Sequence, residues 1–222
     1  MLGRGAVHKH RDVQDGAARA AVFGISDGLV SNVSLILGIA GASTDPSIIR
    51  VAGISGLLAG AVSMAAGEYV SLQAQKELVE RELLIEKKSI DANLEAETEE
   101  LKSIYEERGI DSDLAEEVAR QIMSNSEIAL EVHVREELGV NPGQLGNPLL
   151  AASSSFVSFS LGAFVPLIPW LIGEGNSAIW TSAIMGIFST ALVGGVLARL
   201  SGRSVFKTST RQMLVAAAAC SV

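Results

Sequence analysis

Apolar positions along this chain gather into blocks, at roughly residues 20–42, 48–72, 149–173, 176–198 and 212–222. A helix needs about 20 apolar residues to cross a bilayer core ~30 Å thick. The first four blocks meet that length. The fifth is short, which leaves a tilted or an incomplete last span open. Between blocks two and three the pattern reverses. "SLQAQKELVERELLIEKKSIDANLEAETEELKSIYEERG", residues 71–109, has no proline and is rich in Glu, Leu, Lys and Ala, all good helix formers. It reads as one helix stopped by Gly109. Asp111 is the expected N-cap of a second helix, and a third, about 125–138, ends at Gly139 before Pro142. No turn residue separates span two from the first of these helices, so the chain should run straight through.

The expected fold is therefore all-α and polytopic: five transmembrane helices, with a cytosolic three-helix insert between the second and third. The segments are a polar lead (1–19), spans one and two (20–72), an acidic helical region (73–147) and spans three to five (148–222). The polar lead is followed by no small-residue cleavage site, so no cleaved signal peptide is expected.

Composition sharpens this picture. The chain is 48% hydrophobic with a mean hydropathy of +0.36. Its net charge is -8, and the acidic residues crowd into 77–137. Acidity on this scale argues against a nucleic-acid partner, which wants basic patches. One cysteine, Cys220, excludes a disulfide framework and a multi-thiolate metal site within the chain. No dinucleotide fingerprint, phosphate loop or nucleophile elbow occurs. Lys and Arg stay on the cytoplasmic side of membrane proteins. With the N-terminus inside, Arg50 alone lies on the far side. The expected topology puts the N-terminus and the acidic region in the cytosol.

Within span one stands "SDGLVSN", residues 26–32. A carboxylate at membrane depth costs a few kcal/mol or more, and such residues usually mark ion or proton paths. Asp27 lies ~12 Å into its span at 1.5 Å per residue. Met64 in span two reaches matching depth from the opposite direction. Glu68 lies four residues beyond Met64 on the same face, with Gly56 and Gly60. Small residues at that spacing let helices approach closely, so a tight seam bearing a thioether and two carboxylates is expected. The plainer reading makes Asp27 a structural residue bonded to Ser31 or Asn32 and lets Glu68 snorkel to the interface.

In the acidic region Glu82/Glu86 and His133/Glu137 are spaced i,i+4, and Glu97/Glu100 i,i+3. Folded together, such pairs suit Fe²⁺ or Mn²⁺. The alternative is a solvated helix face offset by Arg81, Lys87 and Lys88.

Together "SDGLVSN", "AGAVSMAAGEYVS", "YEERGI", "VREELGV" and "FSLGAFVPLIP" resemble the vacuolar iron transporter family over nearly the whole chain. The resemblance implies a homodimer that moves Fe²⁺, and often Mn²⁺, out of the cytosol in exchange for protons, with no covalent chemistry and no resident cofactor. It implies a path at the dimer interface lined by Asp27 and Met64; Glu68 and Asn32, on the same two spans, are the further candidate path residues. It implies metal binding by Glu86, Glu97, Glu100 and Glu137, with Glu82 close. Two positions depart from the family pattern: Ser89 replaces a usual glutamate, and His133 stands where some members have methionine. Pro166 and Pro169 are expected to break span three and permit gating. A membrane-anchored metal-binding or sensing module without transport is the competing reading. The bilayer is that of a bacterial plasma membrane or a vacuole, the former favoured by the short polar N-terminus.

Overall fold

Asn93 divides what the sequence presents as one long helix. A computed structural model describes residues 16–139 and 146–220, and among these all regular structure is helical. The first fifteen residues, Pro142 and the last two residues lie outside the described residues. The helices are α1 (Gly16–Ala42), α2 (Pro46–Ala92), α3 (Leu94–Glu107), α4 (Ser112–Met123), α5 (Ser126–Leu138), α6 (Pro148–Ile172), α7 (Gly175–Leu200) and α8 (Val205–Cys220). Span two does run on without a break, as α2. It ends one residue before Asn93, whose side chain accepts the Ala96 N–H at 3.2 Å and starts α3. A short polar side chain competes for backbone donors in this way, which is why Asn favours caps over helix interiors. The acidic region is thus four helical segments, where three were expected.

The other boundaries follow the predicted turn chemistry. Gly109 sits at φ +89° after α3, and Gly139 at φ +64° after α5. Both are left-handed conformations that favour glycine. Asp111 accepts the Asp113 N–H at 3.2 Å at the start of α4.

The chain forms two compact units. One contains α1, α2 as far as Val70, and α6 to α8; the other begins at Ser71. In the first unit α1, α2, α6 and α7 are long and apolar enough to cross a membrane, which makes this a multi-pass membrane protein. At 16 residues α8 is about 24 Å long, short of a ~30 Å core.

The tight glycine seam lies elsewhere than expected. Helices α1 and α6 make the most extensive pairing in the unit. A Cβ on Gly28 would run into the Phe159 carbonyl, and one on Gly162 into the Ile25 carbonyl. Gly56 and Gly60 on α2 serve side chains instead. Gly60 leaves room for the Phe159 ring, and Gly56 for Leu35 and Asn32. Overpacking a close-packed seam costs about 1–3 kcal/mol. Gly28→Ala should therefore lower the thermal unfolding midpoint of the purified protein by several degrees, whereas Gly38→Ala, with open space around it, should not.

The expected break at the span-three prolines is absent. Helix α6 continues through Pro166 and Pro169. It is held on both sides of Pro166: the Asn32 amide of α1 donates to Ala163 O at 2.6 Å, and the Ser182 hydroxyl of α7 donates to Pro166 O at 2.6 Å. Near its end, Arg50 Nε donates to Trp170 O at 2.5 Å. Neighbouring helices commonly supply such contacts around a proline in a membrane helix. Below this stretch Ile36, Ile49, Leu167, Trp170 and Ala178 form a buried cluster.

Candidate functional site

In the second unit, Ile90, Leu101, Ala119, Met123 and Ala129 build an apolar core. It fixes α2, α3 and α5 so that their acidic faces meet. His133 is fully buried, and Glu86 is 8% exposed. Two groups of potential metal ligands share that imidazole: Glu86, His133 and Glu137, and Glu97, Glu100 and His133. The ligand atoms within each group lie within 4.8 Å of one another.

The geometry can serve as a ligand set. His133 Nε2 lies 3.2 Å from Glu97 Oε2, 3.3 Å from Glu86 Oε1 and 3.9 Å from Glu137 Oε2. Yet neither His133 nitrogen, nor Glu86 Oε1, has a hydrogen-bond partner among the described residues. These atoms converge on a common space without aiming at each other. Two ligands ~2.1 Å from one ion and at right angles stand ~3 Å apart, as octahedral coordination requires. The carboxylate-rich donor set with one imidazole fits a first-row divalent ion.

Burial and the charges of Glu137 and Glu97 push the Glu86 carboxyl up to about 7. Some acids elsewhere in this unit have cationic neighbours: Lys102 lies 3.0 Å from Glu99, Arg135 pairs with Glu131 at 2.5 Å, and Arg108 pairs with Glu136. Arg81, Lys87 and Lys88 are exposed and, among the described residues, pair with none of Glu86, Glu97, Glu100, Glu137 and His133. Glu82, half-buried one turn before Glu86, belongs to neither group. Ser89 is half-buried and offers a hydroxyl only.

The first unit holds a cavity of about 480 Å³ between α1 and α2, backed by Phe159 of α6. All four predicted path residues line it: Asp27, Asn32, Met64 and Glu68. Ser31 donates its hydroxyl to the Asp27 backbone carbonyl at 2.6 Å, and no described residue donates to the Asp27 carboxylate. Glu68 differs. It accepts from Arg19 Nη2 at 2.9 Å, a pairing the sequence spacing of 49 residues did not disclose.

The VIT family matches residues 18–222. A vacuolar iron transporter of Acanthamoeba castellanii is 36% identical over 205 residues, which cover 90% of this chain and 74% of that one. Vacuolar iron transporter 1 of Arabidopsis thaliana is 30% identical over 206 residues, covering 90% and 82%. Vacuolar iron transporter 2 of Oryza sativa subsp. japonica is 28% identical over 206 residues, covering 90% and 84%.

Proposed function

The chain belongs to the VIT family, and from that premise we propose that it moves Fe²⁺, and Mn²⁺ by the same ligand chemistry, out of the cytosol in exchange for protons. The path runs along the cavity of the membrane unit, at the interface of two copies of the chain. The observation that carries this reading is Asp27, an unpartnered carboxylate lining a cavity in an apolar multi-span unit. Asp27 is exposed, and an acid left facing lipid is costly. A second copy related by a two-fold axis would cover the groove with its own and place two aspartates and two methionines around one space. Phe23 and Leu35, exposed and lining the cavity, supply apolar contact for that partner.

Asp27 and Met64 are the ligands in this reading. Arg19 neutralises Glu68, which leaves Asp27 as the charged group open to a cation. A proton from the far side replaces the ion on Asp27 and releases it. The buried glutamate–histidine centre of the other unit binds the same ion from the cytosol, and its acidic surroundings raise local cation concentration. The distribution of Lys and Arg supports an N-terminus on the cytosolic side, with α8 as a fifth, short crossing.

The test is Fe²⁺ uptake into proteoliposomes with and without a pH gradient. Gradient-driven uptake is expected. Uptake indifferent to the gradient removes proton exchange, and none in either condition removes transport. The second reading, a metal-binding module without transport, draws on the completeness of the glutamate–histidine centre within its own unit. It predicts that Asp27→Asn is silent.

A further inference from the structure

The cavity contains a second oxygen whose position needs explaining. Asn32 is 2% exposed, and its Oδ1 has no partner among the described residues. Its Nδ2 donates to Ala163 O at 2.6 Å. A backbone carbonyl only accepts, so the nitrogen must face Ala163, and the direction of the oxygen is thereby settled. That oxygen faces α2 at Gly56, where a Cβ would stand 2.9 Å from Oδ1. Both residues line the cavity that holds Asp27 and Met64. The other atom close to that absent Cβ is Leu35 Cδ2, at 2.5 Å, so the oxygen faces an apolar side-chain end and a residue without a side chain, and lacks the partner a buried acceptor ordinarily has.

We propose that Asn32 Oδ1 is a second coordination station for the transported divalent cation, held in place by the Ala163 carbonyl and reached past Gly56 when the Leu35 side chain swings aside. The proposal rests on the transport reading above. Asn32 lies five residues beyond Asp27 on α1, ~7.5 Å further along the helix. Hard divalent cations accept neutral amide oxygens readily. A neutral oxygen beyond a carboxylate lets the ion move on without being trapped, since it replaces lost water and adds no further charge. The bond to Ala163 polarises the amide and strengthens the oxygen as an acceptor. It also couples the station to α6 just before Pro166.

The experiment measures radiolabelled Fe²⁺ uptake by the full chain in proteoliposomes, beside the thermal midpoint and Mn²⁺ binding of the purified protein. Gly56→Ala keeps Asn32 but covers its oxygen. It should cut the maximal uptake rate at least tenfold, with Mn²⁺ binding retained and the midpoint little changed. Asn32→Leu should cut uptake as strongly and, because it also removes the buried bond to Ala163 O, lower the midpoint. Asn32→Asp keeps an oxygen and adds charge, so it should lower KM and kcat together. If Asn32 merely ties α1 to α6, Asn32→Leu lowers the midpoint and uptake while Gly56→Ala transports normally, and the proposal is overturned. Wild-type uptake by Asn32→Leu overturns it as well. Asp27→Asn is run alongside: normal uptake by that variant removes Asp27, and with it the proposed path, whereas lost uptake there beside normal uptake by Gly56→Ala defeats the station alone.

Discussion

Asp27→Asn is expected to stop metal uptake, by at least ~100-fold, while the protein still folds and keeps the Mn²⁺ binding proposed for the glutamate–histidine centre. The magnitude follows from the ligand's place. Losing a group that only supports a metal ligand already costs about 10–100-fold in affinity. Asp27 is proposed as a direct anionic ligand, and no other described group in the cavity replaces its charge. Glu68 cannot, since it accepts from Arg19 at 2.9 Å. Glu68→Gln should therefore slow uptake less than Asp27→Asn does. The substitution at 27 is close to isosteric and removes a charge from an apolar unit, so the fold has no reason to suffer. Uptake rates from proteoliposomes, with Mn²⁺ titration of the same preparations, check both halves. Equal loss from the two variants would mean that both carboxylates carry the ion and that the Arg19 pairing opens during transport.

The metal binding proposed for the glutamate–histidine centre should weaken as pH falls below about 7, by up to about tenfold per unit. The cause is the Glu86 carboxyl, raised to about 7 by burial and by the charges of Glu137 and Glu97. Below that pH the ion must displace a proton. The sign for stability runs the other way in the metal-free protein. The folded state holds the Glu86 proton more tightly than the unfolded chain, whose carboxyl titrates near 4.5. Folded protein therefore binds more protons between about 4.5 and 7, and its stability declines as pH rises across that window. Above it the full repulsion remains until metal neutralises it. Melting curves at pH 5.5 and 7.5, with and without Mn²⁺, should show a larger metal-induced rise at the higher pH. Glu86→Gln should flatten the metal-free dependence and weaken binding at pH 7.5. An unchanged pH profile in that variant would place the titrating proton elsewhere.

Much of this was legible in the residues because it is local. A run of about 20 apolar residues is a span whatever surrounds it, and α1, α2, α6 and α7 appear where the blocks predicted. Asp111, Gly109 and Gly139 punctuate helices through backbone preferences that need no tertiary contact. The pairing of Glu97 with Glu100, and of His133 with Glu137, follows from helical spacing. Asn93 was the local signal passed over: an Asn inside an otherwise uniform helical stretch, three residues before the donor it caps.

What stayed hidden depends on which helix packs on which. Gly56 and Gly60 promise close approach to something, but spacing does not name the partner, and Gly24, Gly28 and Gly162 form the tight seam instead. Proline removes one hydrogen bond, and whether the helix breaks depends on neighbours such as Ser182 and Asn32 that can hold it. Glu82 and Glu86 are equivalent by sequence. Only the packing of α3 and α5 onto α2 joins Glu86 to His133 and leaves Glu82 apart.

The sequence by itself determined the helices, their membrane-crossing stretches and the identity of the groups able to hold a cation, since each rests on bonding within a few residues. Tertiary structure alone decided which acids are buried together, which carboxylate has a guanidinium beside it and which way the Asn32 amide faces. Those outcomes turn on distances between segments far apart in the chain, where a change in packing of a few ångströms separates a ligand from a bystander.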